Sequence, residues 1–139
     1  MNFKPCSSTL LTVCGVILMG IGLYFALIRA ELLPEDFRYM ALSPEQLQVT
    51  AHGLLNWLDK VFWVMGGYVF TTGLLTCYVA QTAFRDRRRG VLSVVGLAGL
   101  FSIGLMVFIN FLIDSNFKWP LVIIAALWLS AMGLFLRQK

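Results

Sequence analysis

Four long apolar runs, separated by charged and turn-forming residues, set the plan of this chain. The first covers residues 9–28 without a single charged side chain. The second covers residues 61–84, between Lys60 and Arg85, and the third covers residues 91–113, between Arg89 and Asp114. The fourth, residues 119–136, is the shortest; as a helix rising about 1.5 Å per residue it extends about 27 Å. A helix needs about 20 mostly apolar residues to cross a hydrocarbon layer. Strands of a membrane barrel instead alternate apolar and polar positions over about 10 residues, and these runs do not alternate. The pattern predicts an all-α polytopic membrane protein. Residues 1–139 form a single integral domain, with four transmembrane helices in a bundle.

Residues 29–60, between the first two runs, carry a different pattern. Leu33-Pro34-Glu35-Asp36 reads as a helix start, with proline at the first position and acids in the first turn. Ser43-Pro44-Glu45-Gln46 repeats that signature with a Ser-x-x-Gln capping arrangement. From Pro44 onward Leu47, Ala51, Leu54, Leu55, Leu58 and Phe62 fall on one helical face, and Glu45, Gln48, His52, Asn56 and Asp59 on the other. This predicts an amphipathic helical cap between helices 1 and 2, running into the second span with Gly53 as the expected bend.

Composition sharpens the class. Hydrophobic residues make up 59% of the 139 and charged residues only 13%, against about 45–50% and about 25% in soluble domains. Those figures exclude a disordered chain, a disulfide-stapled secreted domain and a nucleic-acid-binding module. The formal charge of +4 is therefore read as topology. Lys4, Arg85, Arg87, Arg88, Arg89, Arg137 and Lys139 fall on one side of a four-span chain, with Asp86 as their only acid. By the positive-inside rule that side is cytoplasmic, with both termini, in a bacterial inner membrane. The Arg85, Arg87, Arg88 and Arg89 cluster is expected to fix orientation and to attract anionic headgroups. Cys6, Cys14 and Cys77 lie toward the same reducing side. Trp57, Trp63 and Trp119 fall at the outer boundary, where indole rings prefer the headgroups, and Trp128 falls near mid-membrane.

Candidate chemistry is sparse. Asp114 ends the third run, and Asn110 lies one turn inward on the same face. With Asp59, Lys60 and His52 they are expected to form a polar recess at the outer mouth, or else to supply interhelical hydrogen bonds that fix register. His52, Asn56 and Asp59 share a helix face that Glu31, Glu35 or Asp36 could complete; the alternative is a solvated face. A lone histidine falls short of the several N or S ligands of a transition-metal site, so no metal and no cofactor is expected. No nucleophilic triad, Cys-x-x-Cys pair or intramembrane haem ligand is present. Gly22 and Ala26, Gly66, Gly67 and Gly73, Ala98 and Ser102, and Ala126 and Ser130 have the spacing that lets helices approach closely, within one chain or between chains.

One stretch carries a resemblance. Leu33-Pro34-Glu35-Asp36, Tyr39 to Ala41, Ser43, Asp59-Lys60, Gly66-Gly67 and Gly73 are similar to a pattern in uncharacterised bacterial four-helix inner-membrane proteins, over residues 32–75. That pattern has a histidine before the aspartate, where this chain has Leu58. The resemblance implies the same topology and draws attention to Asp59 and Lys60, and it implies no activity.

The expectation for function is a small non-catalytic membrane protein that binds lipid or a partner membrane protein, or assembles with copies of itself, and has no nucleic-acid partner. Its rivals are a transporter or channel subunit using the outer recess, and a membrane enzyme acting on a lipid or isoprenoid with His52 and Asp59 as acid and base.

Overall fold

A computed structural model of the protein describes residues 4–29, 32–41, 43 and 52–137, and all regular structure among them is helical. Helix α1 is Lys4–Leu27, α2 is Pro34–Met40 and α3 is His52–Val79, which continues through a π-helical turn at Ala80–Phe84. Helix α4 is Val91–Leu112, interrupted by a second π turn at Leu100–Gly104, and α5 is Lys118–Arg137. Four helices, α1, α3, α4 and α5, are long and apolar enough to cross a membrane.

Their limits differ from the apolar runs for local reasons. Helix α3 begins at His52 rather than at residue 61. Between Gly53 and Lys60 there is no proline to break the ladder, while Leu54, Leu55 and Leu58 favour it. From His52 on, the amphipathic segment and the second run are therefore one helix; residues 44–51, which carry the first part of that pattern, lie outside the described residues. Helix α5 has 20 residues, which at about 1.5 Å each gives about 30 Å; it extends one residue beyond the apolar run at each end and is, as the run predicts, the shortest of the four. Helix α2 starts as its sequence predicts. Pro34 occupies the first turn, and the Asp36 carboxylate accepts the Leu33 backbone N–H at 2.8 Å. It ends at Ala41, whose φ of 54° closes the helix in the left-handed region.

Helices α1 and α3 pack antiparallel over nearly their whole length. Heptad steps along α1 meet heptad steps back along α3. The buried Ser8 hydroxyl donates to the Ala80 carbonyl, Gly15 lies against Gly73, and Gly22 lies against Gly66. A Cβ on Gly66 would fall 2.6 Å from the Gly22 carbonyl oxygen and 2.7 Å from the Ala26 nitrogen. Only glycine permits that approach, which brings backbone dipoles and Cα–H groups into contact. The bond from Ser8 enters α3 at the first residue of its π turn, as expected where an inserted side chain disturbs the i→i−4 ladder.

Helix α1 also packs on α5, and α5 carries α4 on its other side. Trp128 of α5 is buried, its ring lies against Gly99 of α4, and its indole N–H donates to the Val95 carbonyl at 3.2 Å. Helix α4 meets the α3 polypeptide mainly at the Ala80–Phe84 turn. The buried core, including Leu11, Cys14, Phe84, Val95 and Phe135, is concentrated at that end. Toward the other end α3 and α4 part, and a space opens between them.

Candidate ligand cleft

The space between α3 and α4 is a cleft of about 850 Å³, within the range of about 300–1,000 Å³ found for small-molecule sites. Its back wall is α1, through Ile17, Ile21 and Tyr24. Met65 and Val69 of α3 form one side, and Phe101, Leu105 and Ile109 of α4 form the other. The α4 π turn contributes Phe101 and Ser102 to the wall. Such a turn widens the helix locally and recurs at functional sites. The Ser102 hydroxyl is turned inward to the Ala98 carbonyl at 2.6 Å, so the wall it leaves is mostly hydrocarbon.

Among the described residues, charge enters the cleft at one end only. There the lining includes Arg29, Glu35, Asp36, Asn110 and Ser115. Arg29 pairs with Asp36 at 3.3 Å and lies over the rings of Phe62 at 3.8 Å and Phe25 at 5.2 Å. The Ser115 hydroxyl donates to the Glu35 carboxylate at 3.0 Å and accepts the Phe117 N–H at 3.1 Å. Glu35 and Ser115 are both buried. Buried carboxyl groups are costly unless hydrogen-bonded, so this contact holds α2 over the cleft mouth. Arg38 adds a second tie from α2, donating to the Asp114 carbonyl at 3.0 Å.

The expected polar recess is distributed differently. Asn110 lines the cleft, with its amide donating to the Met106 carbonyl at 2.8 Å. Asp114 is exposed, pairs with Lys118, and lies 3.9 Å from Arg38. It occupies the left-handed position after α4, with φ 52°, and the following N–H of Ser115 returns to the Asn110 carbonyl at 2.9 Å. That is a helix-closing geometry which aspartate tolerates. Hydrogen bonding and charge from Lys118, followed by the more distant Arg38, hold the Asp114 carboxyl below its ordinary value of 3.8. Asp59 and Lys60 pair with each other at 2.7 Å, and Lys60 lies over Trp63 at 4.1 Å. Neither lines the cleft. His52 begins α3, and its side chain lies outside the described ones.

At the opposite end, the basic cluster divides by role. Arg85, Arg88 and Arg89 are exposed. Arg87 donates to the Phe135 carbonyl at 2.6 Å and lies 4.1 Å from that residue's ring centroid. It thereby places a cation on the C-terminal end of α5, where the helix dipole favours one. Together with the Ser8 bond to Ala80, this sets the start of α1 and the end of α5 beside the 85–90 loop.

Arg29, Glu35 and Ser115 form the charged end without being singled out by sequence pattern as one site. The available signal was the placement of Arg29 and Asp36 seven residues apart, just beyond the end of the first run. No family model, curated protein or solved structure matches this chain, and its function is therefore read from the geometry of the cleft.

Proposed function

We propose that the protein is a four-span integral protein of the bacterial inner membrane, with both termini cytoplasmic, that binds a membrane amphiphile non-catalytically in the α3–α4 cleft. The observation carrying this is the shape of the polarity: a hydrocarbon-lined space running along α4 from Phe101 to Ile109, with charged groups, among the described residues, at one end only. A lipid has the same distribution, and burying its tail contributes about 0.8 kcal/mol per methylene. The arginine-rich loop supplies the cytoplasmic assignment through the positive-inside rule. The exposed Ala126 and Ser130 of α5 leave a small-residue face for a second copy or a partner membrane protein.

The test is native mass spectrometry of protein purified in mild detergent. A tightly held amphiphile should accompany the wild type and be lost from Ile109→Trp, which fills the cleft from a half-exposed wall position. Absence of any bound amphiphile, or its undiminished retention by Ile109→Trp, would refute the proposal. Reporter fusions after residue 87 and after Arg137 should both report the cytoplasm.

A further inference from the structure

We infer that the amphiphile held in this cleft carries a positively charged head, as a long-chain alkylammonium does; the inference rests on the proposed amphiphile binding and names its chemistry. Among the described residues, the charged side chains lining the polar end are one cation, Arg29, and two acids, Glu35 and Asp36. Arg29 already has its countercharge in Asp36, at 3.3 Å, and its two ring faces in Phe25 and Phe62. It therefore has little to offer a phosphate or carboxylate head, which would in addition face two carboxyl groups. Glu35 has a different environment. The contact it receives at the cleft is a neutral hydroxyl, from Ser115, so its formal charge has hydrogen-bond support but, among the described residues, no ion pair within 4 Å.

The rings at the same end favour the same head. Tyr24 and Phe117 both line the cleft, with centroids 5.8 Å apart and planes tilted by 43°. Aromatic faces attract alkylammonium groups, and aromatic enclosure is a recurrent way of recognising them. That these surroundings hold a cation is visible in Arg29 itself, stacked between two of the neighbouring rings. A neutral head would gain from the rings but leave Glu35 uncompensated, and an anionic head would lose from both.

The experiment is a competition on the full chain in mild detergent, read by native mass spectrometry, with three tail-matched probes: dodecyltrimethylammonium, dodecyl maltoside and dodecyl phosphate. The ammonium probe should be bound about tenfold more tightly than the neutral one, with the phosphate weakest. Glu35→Gln, which keeps the shape and the Ser115 contact, should bring ammonium and maltoside to near parity. The wild-type order is decisive by itself should that variant fail to fold. Equal binding of the three probes, or preference for phosphate, overturns the cationic head while leaving amphiphile binding intact. No binding of any probe overturns both, and ammonium binding unchanged by Ile109→Trp places it outside the cleft and overturns this assignment.

Discussion

Helix α3 faces α1 and α4 in two contrasting ways. Against α1 the backbones touch: Gly15, Gly22, Gly66 and Gly73 leave no room even for a methyl group. Against α4 contact is mainly at the π turn at one end, and toward the other end the two helices part to line the cleft. Small residues made the first interface, and large ones hold the second apart. Phe101, Leu105 and Ile109 on α4 face Met65 and Val69 on α3 across open space. In lipid no hydrophobic force drives helices together, so association follows van der Waals fit and interhelical hydrogen bonds. A pair with heptad glycines closes, and a pair without them remains available to a ligand.

Disrupting the closed interface should have the largest effect. Gly66→Leu must displace the α1 backbone, and no native helix packing is expected to be recovered. Gly67→Leu, whose Cβ meets nothing within 4 Å, should behave as wild type within about 0.5 kcal/mol. Size-exclusion profiles and thermal melts of the two variants in one detergent make the comparison. Similar profiles would show that the glycine seam is not what joins α1 to α3.

The next effect belongs to the support of the open side. Trp128 fills the space beside Gly99 and ties α5 to the Val95 carbonyl of α4. Trp128→Ala should cost about 3–5 kcal/mol, the usual range for removing a buried aromatic. Trp128→Phe retains most of the packing and should lose about 1 kcal/mol with the indole hydrogen bond. Thermal melts give the first number; amphiphile retention should fall in parallel, because α4 loses its fixed distance from α3.

How much of this contrast can be read from the chain follows from range. The four apolar helices are legible because each is a local run, and so is the start of α2, where Pro34 and Asp36 act within one turn. Gly22, Gly66 and Gly73 are legible as close-packing positions, but their partners are not. The antiparallel register that sets Gly22 on Gly66, and brings in Gly15, exists only once both helices are placed. The charged end is harder still. Glu35 and Ser115 are 80 positions apart; Glu35 reads from sequence as a first-turn acid of α2, and nothing in the pattern joins it to Ser115. Proximity along the chain groups Asp59 with Lys60, and in space those two pair with each other and stay off the cleft wall. Trp128 is legible only as a residue without an interfacial place, and its role depends on Gly99.

A smaller effect tests the fastening of α2 over the cleft. Ser115→Ala removes the hydroxyl that donates to the buried Glu35 and also accepts the Phe117 N–H. A buried group left unsatisfied costs about 1–3 kcal/mol, so the melting temperature should fall modestly. Ser115→Ala combined with Glu35→Leu should recover much of that loss, since the pair is then replaced by apolar contact. Additive losses in the double variant would show that the hydroxyl and the carboxyl act separately.

The smallest effect should come from Asp114, beside the cleft but outside its wall. Its carboxyl is held below 3.8 by the hydrogen bond and charge of Lys118 and, more weakly, by Arg38. A folded-state value below the unfolded one means that the native protein binds fewer protons. The contribution of this pair to stability is therefore present above pH 3.8 and is lost as pH falls through the lower folded value. Asp114→Asn keeps a residue that tolerates φ 52°, so it removes the charge without straining the turn. Melts at pH 7 and pH 3 should show a small loss at pH 7 that shrinks at pH 3. The amphiphile bound at pH 7 should be unchanged, because Asp114 is absent from the cleft lining. A strong loss of binding at pH 7 would instead put Asp114 in the ligand site and extend the open side of α4 past its last turn.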